Sequence, residues 1–204
     1  MLALDDEGRA QLAFVPRGTK GLTVVNDWAC LGQRTTSSGT VLADNLQVEP
    51  FNLIPTWKSY DTPTLAGPFA QLTTAAIDAG IARAALNDTV SFVNQFARPW
   101  IDAGVERAGD DPLTVYQIGA LDSRLAAADA LLEQAGKVLD RYKHDLSEEA
   151  VALASIAVAR AKIFTTEAAL EAATRLFELG GTRSTHPRYN YDRHWRNGRV
   201  HTLH

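Results

Sequence analysis

With 204 residues, 46% of them hydrophobic, the chain has enough apolar material to bury a core, and its length suits one domain or one domain plus a piece of another. A net charge of −4 and an isoelectric point near 5.7, with no Lys/Arg block, exclude a protein built to track a nucleic-acid backbone. A single cysteine, Cys30, excludes an internal disulfide framework and a Cys-x-x-Cys metal knuckle, and no apolar run reaches the roughly 18 residues of a membrane span.

The stretch Met1 to Arg9 is acidic and carries no basic-then-apolar signal pattern, which together with the lone thiol points to a reducing cytoplasm. Cys30 itself reads as a small buried hydrophobe. Short β-rich runs follow at Gln11–Val15, Leu22–Val25, Thr40–Ala43 and Leu46–Val48, separated by the turn chemistry of Pro16-Arg17-Gly18, Ser37-Ser38-Gly39 and Asp44-Asn45. So few short strands cannot close a core by themselves, and residues 1–50 are therefore expected to be part of a larger antiparallel β-domain.

Residues 51–68 are rich in proline and read as a linker; the pattern is then helical to the end of the chain. From Ala70 to Ala108 apolar residues recur at spacings of three and four, with Pro99 expected to kink the helix. Asp110-Asp111-Pro112 breaks and restarts the chain, and a second helix is predicted from Leu113 to Lys143. Ser147 caps a third, with Glu148 and Glu149 over its positive end; it runs to Leu179 and stops at Gly180-Gly181. A shorter fourth covers about Asn190 to Leu203. The expected fold is mainly α: an up-down four-helix bundle over residues 69–204, preceded by the partial β-domain. Seams such as Ala75-Ala76, Ala84-Ala85 and Ala126-Ala127-Ala128 let helices approach closely and suit subunit association, so an oligomer is expected.

The tail holds the most unusual residues. Gly180-Gly181-Thr182-Arg183-Ser184-Thr185 joins a glycine turn to a guanidinium and hydroxyls, which suits a phosphate, or is simply a helix stop with solvated polar residues. His201 and His204 share a helix face, with His194 further back, but no carboxylate completes a metal set, and none is predicted. His204 has the intrinsic pKa of a general acid or base, or is a bystander. Phe96-Ala97-Arg98-Pro99-Trp100 sets a cation beside an indole, and Asp27-Trp28 could wall a pocket or merely end a strand. No GxSxG, GxGxxG or P-loop is present, so hydrolase and nucleotide-triphosphatase readings lack residues to rest on.

Two segments carry a family resemblance. Trp28-Ala29-Cys30-Leu31-Gly32-Gln33-Arg34-Thr35-Thr36-Ser37-Ser38-Gly39 is similar to the W-x-x-L-G-x-R-x-T-x-S-G stretch of the acyl-CoA dehydrogenase superfamily, and Gly180-Gly181 followed by Arg193-His194-Trp195-Arg196-Asn197 is similar to its G-G…E-R-x-x-R-D segment. The match covers nearly the whole chain and resembles the family's carboxy-terminal part, without its amino-terminal helical domain and the first half of its β-domain. Arg98-Pro99-Trp100, Gly181-Thr182-Arg183-Ser184-Thr185 and the Asp192-Arg193-His194-Trp195 tail resemble its flavin-dependent monooxygenase branch, of the dibenzothiophene-monooxygenase and sulfur-acquisition type.

The resemblance implies a monooxygenase that takes reduced FMN from a separate NAD(P)H-flavin reductase and uses O2 to oxidise a small sulfur-containing or aromatic compound. His204 aligns with the catalytic glutamate of the dehydrogenases, while the positions that hold FAD pyrophosphate in them carry Val93 and Phe177 here. The implied roles follow. Arg98 and Arg183, assisted by Ser184 or Thr185, clamp the FMN phosphate, with the site shared across a subunit boundary in a dimer or tetramer. Trp28 lines the cavity, and His204 handles the proton of a flavin C4a-hydroperoxide. The alternatives are an FAD-dependent acyl-CoA dehydrogenase and a catalytically inactive truncated bundle.

Overall fold

The computed structural model describes residues 1–203, apart from the side chain of Tyr60. The chain divides into two compact units, Met1–Cys30 with Arg34–Thr64, and Leu31–Gln33 with the chain from Leu65 onward. Helices with a small antiparallel β-component are the architecture the sequence predicts.

In the first unit β1 (Leu2–Leu4), β2 (Ala10–Ala13) and β5 (Leu53–Ile54) form an antiparallel sheet in the order β1-β2-β5, while β3 (Leu22–Val24) and β4 (Val41–Ala43) form a separate antiparallel pair. The β1–β2 turn is locked by one carboxylate: Asp5 accepts from the main-chain N–H groups of Glu7 (3.1 Å) and Arg9 (2.9 Å) and from the Arg9 Nε (2.9 Å). Led by the Arg9 N–H, these donors hold the Asp5 pKa down at about 2. The turn sets the register Leu2↔Leu12 and Leu4↔Ala10. The strand expected at Leu46–Val48 is absent. The β3–β4 ladder closes with the Asp44 N–H donating to Gly21 O, and Asn45 then turns left-handed (φ 50°), which takes the chain out of the ladder. Instead β5, inside the stretch read as a linker, pairs with β2 through Leu12↔Ile54.

In the second unit α1 (Ala66–Gln95), α2 (Pro112–Tyr142) and α3 (Glu148–Gly180) are long, and α4 (Asp192–His201) has ten residues. Cross-helix pairs give the directions. Lys162 Nζ donates to Thr74 Oγ1 and Thr166 Oγ1 to Asp78 Oδ2, and Gly180 lies against Phe92, so α1 and α3 run parallel. Arg124 pairs with Glu171, while Leu139 packs with Ala154 and Val158, so α2 runs antiparallel to both. The α1–α3 seam is built of alanine: Ala75, Ala82 and Ala85 face Ala161, Ala169 and Ala173, all fully buried. Small side chains let two axes approach to the lower end of the usual 8–10 Å range. Larger residues, among them Leu86, Leu121, Leu125 and Leu176, fill the remainder of the core.

Helix ends follow their caps. Asp111 accepts from the N–H groups of Leu113 and Thr114 ahead of Pro112, and Ser147 Oγ accepts from the Ala150 N–H at 3.3 Å. The end of α1 differs from expectation: it stops at Gln95, well short of Ala108, so Pro99 kinks nothing. A proline ring at 99 would collide with the carbonyl of residue 95 and supply no N–H, and it disfavours helical dihedrals at Arg98, so the helix ends ahead of it.

Candidate functional site

Because α1 and α3 are parallel and α2 antiparallel, the carboxy-terminal ends of α1 and α3 meet the amino-terminal end of α2. A cleft of about 610 Å³ opens there, lined among others by Phe96, Arg98, Trp100, Thr114, Gly181 and Arg183. Arg98 has no hydrogen-bond or ion-pair partner among the described residues. Arg183 has no carboxylate partner among them; its Nη1 donates to Phe96 O at 3.3 Å and its Cζ stands 5.2 Å from the centroid of the Phe96 ring. The two acids at the cleft are already engaged: Asp111 caps α2, its pKa lowered mainly by the Thr114 hydroxyl, and Glu178 is held by Arg175 Nη1 at 2.5 Å. Two guanidiniums thus line one cleft without a direct ion pair to either acid, a donor set that fits a phosphate.

The other residues of the turn look elsewhere. Ser184 is 1% exposed and donates to Gly181 O at 2.7 Å; a Cβ on Gly180 would come within 2.7 Å of its own Cβ, so this seryl side chain is wedged beneath the end of α3. Thr185 Oγ1 donates to Thr182 O, and the residue lines a separate hollow with Phe177 and Pro187. The Gly181 N–H closes α3 on Phe177 O, and only glycine takes its φ of 63° with an extended ψ at ease. Behind Arg183 lies an aromatic group: Phe92, Phe96, Tyr189 and Tyr191, with the two tyrosines stacked at 5.4 Å. Burial works against ionisation of the Tyr189 phenol, but Arg188 and Arg183 together outweigh it and lower its pKa.

The second cluster fastens α4. His201 Nδ1 donates to Asp78 Oδ1 at 2.6 Å, and His194 Nε2 donates to Asp88 Oδ2 at 2.6 Å, where Arg193 Nη2 also donates at 2.7 Å. Asp78 is 0% exposed and takes Thr166 Oγ1 on its other oxygen. Burial drives the His194 pKa below its usual value although Asp88 pulls the other way, so the ring is held neutral. Neither aspartate stood out in the sequence. The signal was present, since Asp78 lies on the buried stripe Ala75, Ala79, Ala82 and Ala85, and an acid there requires a polar partner. On the opposite side α4 packs against Leu31–Gln33 of its own unit: a Cβ on Gly32 would stand 2.0 Å from Arg196 O, and Asn197 Oδ1 accepts from the Gln33 N–H at 2.9 Å.

Trp28 belongs to the first unit, where it lines a hollow of about 270 Å³ with Arg17, Val24 and Val25. Its neighbour Asp27 binds the Thr40 N–H (2.8 Å) and hydroxyl (2.6 Å), tying the ends of β3 and β4. His204 lies outside the described residues. Among those described, no group of three or more metal-ligating side chains is gathered, and no helix is long and apolar enough to cross a membrane.

A family model for the acyl-CoA dehydrogenase C-terminal domain matches residues 72–204, the stretch that carries the bundle and α4. The chain belongs to this family. Within it, the chain is 35% identical over 209 residues to the dibenzothiophene monooxygenase of Mycolicibacterium goodii, covering 97% of this chain and 50% of that protein. It is 32% identical over 202 residues to the probable FMNH2-dependent monooxygenase SfnC of Pseudomonas putida, covering 97% and 51%. The FMN-bound structure of TdsC, a dibenzothiophene monooxygenase from Paenibacillus sp. A11-2, superposes with a TM-score of 0.91 at 30% identity, over 100% of this chain and 55% of that one. The chain spans about half the length of the curated relatives it matches. Its place beside the flavin monooxygenases is therefore a likeness over nearly all of its own residues.

Proposed function

We propose that this chain is the carboxy-terminal half of an FMN-dependent monooxygenase that acts on a small sulfur-containing or aromatic compound, with reduced flavin supplied by a separate NAD(P)H-flavin reductase. The observation that carries the reading is the cleft with its two guanidiniums free of direct ion pairs, in a chain similar throughout its length to FMN-dependent monooxygenases. Reduced FMN supplies the electrons that activate O2 for transfer of one oxygen atom to the substrate. Arg98 and Arg183 would hold its phosphate by charge-assisted hydrogen bonds, and the turn of Ser184 and Thr185 would keep Arg183 in place. Trp28 is assigned to the substrate, and His204 gives or takes a proton near neutral pH.

An assembly of two or four copies accords with the apolar stripe that α3 leaves exposed, Leu153, Ile156, Ile163 and Phe164, at helical spacing. A cytoplasmic setting suits the dependence on NAD(P)H and the lone thiol.

Titration of the chain with FMN and FAD, followed by flavin fluorescence, tests the reading. FMN is expected to bind more tightly than FAD, with Arg98→Ala and Arg183→Ala each weakening FMN by roughly 10-fold to 100-fold, as loss of a hydrogen-bonded charge does. Preference for FAD would turn the assignment to an acyl-CoA dehydrogenase. Binding of neither flavin would remove the cleft as a cofactor site of this chain.

A further inference from the structure

We propose that Phe96 is the positioning residue of the anion clamp: its main-chain carbonyl and its ring face together aim the Arg183 guanidinium into the cleft that Arg98 lines. The inference rests on the reading of the cleft as a phosphate site and assigns the device that makes one of its two arginines effective.

The argument starts from the proline. Since Pro99 ends α1 early, Phe96 becomes the residue that caps it, with dihedrals (φ −136°, ψ −24°) that leave the helix. The last carbonyls of a helix have no intrahelical donor and carry the negative end of its dipole, so each seeks a cation or an N–H. Arg183 meets that demand from the turn after α3, its Nη1 donating to Phe96 O at 3.3 Å. The same residue offers the guanidinium a ring face, with Cζ at 5.2 Å from the centroid, within the range of a cation–π contact. One N–H of the five that an arginine owns is thereby committed to the scaffold, and the guanidinium is held by two contacts to Phe96, with the Tyr189 phenol also within its reach.

The ring is itself immobilised. Phe96 packs at 5.5 Å on Phe92 and at 5.8 Å on Tyr189, and Tyr189 stacks on Tyr191. Phe92 is 1% exposed and lies under Gly180, the last residue of α3, so the ends of α1 and α3 share one aromatic base. Arg98 has no such support, which makes the two arginines unequal: Arg183 is held in place before a ligand arrives, and Arg98 closes on it. An arginine already ordered loses less side-chain freedom on binding, so its contribution depends on what orders it.

The experiment compares FMN with riboflavin, which lacks the phosphate, on the full chain carrying Phe96→Leu or Phe96→Tyr. Phe96→Leu keeps the carbonyl and the apolar bulk but removes the ring. It is expected to weaken FMN about three-fold to five-fold while riboflavin binding stays as in the parent. Phe96→Tyr, which restores a ring face, is expected to return FMN to the parent affinity. A merely structural role for Phe96 would lower both ligands together, and equal FMN affinity in parent and Phe96→Leu would refute the positioning role; either result overturns the inference.

A second measurement needs no change at Phe96. Addition of inorganic phosphate should raise the titration midpoint of the Tyr189 phenol, read as tyrosinate absorbance with Tyr189→Phe as the blank, because an anion on Arg183 offsets the cation that favours ionisation. An unmoved midpoint at saturating phosphate would count against the shared base of Arg183 and Tyr189. If the parent chain binds neither FMN nor inorganic phosphate, the reading of the cleft has failed. If it binds both through Arg183 and Phe96→Leu changes nothing, only the positioning role has.

Discussion

The two units of the chain use the same kinds of residue to opposite effect. In the helical unit a core of alanines and leucines, among them Ala82, Ala85, Leu125, Ala169 and Leu176, is enclosed, and Asp78 inside it is matched by histidine and hydroxyl partners. In the β-unit Ala13 is the only buried hydrophobic residue among those described, while Leu2, Leu4, Phe14 and Phe51 stand exposed. Its order comes from local devices instead: Asp5 closing the β1–β2 turn and Asp27 tying β3 to β4. One unit is held by enclosure and is sensitive to shape. The other is held by turns and hydrogen bonds and has little interior to disturb. That contrast sets the size of the response to substitution in each.

The largest effect is expected where backbone meets backbone in the enclosed unit. Gly32→Ala would place a methyl group 2.0 Å from Arg196 O and 2.7 Å from Asn197 N, main-chain atoms of α4 that cannot rotate aside. A loss of more than about 3 kcal/mol is expected, with α4 amides losing protection in hydrogen exchange ahead of those of α1 and α3. Unchanged protection would mean that α4 does not depend on this seat.

Next comes the buried acid. Asp78→Ala leaves His201 Nδ1 and Thr166 Oγ1 without their acceptor inside the bundle, at a cost of about 2–3 kcal/mol, or roughly 4–12 °C in Tm for a chain of this size. Asp78→Asn, which keeps the shape and an acceptor, should lose less. Calorimetric scans of the two variants would settle whether hydrogen bonding or shape dominates at this position.

The pH response is smaller and has a definite sign. Burial depresses the His194 pKa below 6.5, so on acidification the unfolded chain takes up a proton before the folded one does. The contribution of the neutral ring is therefore whole above pH 6.5 and is lost as pH falls through the window beneath it. Facing the ring are Asp88 and Arg193, the one favouring protonation and the other opposing it. Denaturation midpoints measured between neutrality and mild acid should fall for the parent and flatten for His194→Gln. A parent curve that rises on acidification would show that the Asp88 pairing outweighs burial.

What was legible in the sequence follows the same division. Ser147, Asp111-Pro112 and Gly180-Gly181 announce helix ends through side-chain and dihedral chemistry that acts within a few residues, and those ends fall where they are expected. The end of α1 is hidden because apolar residues continue at helical spacing past Gln95, and only the steric veto of Pro99 stops the helix. Leu46–Val48 has strand composition without a partner, whereas β5 is two residues long and exists only through its pairing with β2. For the site, Arg98 and Arg183 are far apart in sequence, and their meeting depends on α1 and α3 being parallel, a fact of tertiary packing. The pairing of the tail histidines with Asp78 and Asp88 is hidden for the same reason: only tertiary packing brings α4 against these two acids of α1, one on its buried stripe and one half-buried beside it.

The smallest effect sharpens the contrast from the other side. Phe51 is 96% exposed, so Phe51→Ser removes almost no contact within the chain and is expected to change stability by less than about 0.5 kcal/mol. A phenylalanine side chain of a packed core would cost about 3–5 kcal/mol when truncated. The same substitution should reduce self-association or adsorption, because an exposed aromatic ring beside Leu53 and Ile54 presents apolar surface to anything that can cover it. Denaturant unfolding and sedimentation of the parent and the variant separate the two consequences. A core-sized loss of stability at low protein concentration would mean that the ring is enclosed within a single chain and that the β-unit has an interior after all. A loss that appears only as concentration rises would place its cover on a second molecule, and the β-unit would then be completed by association.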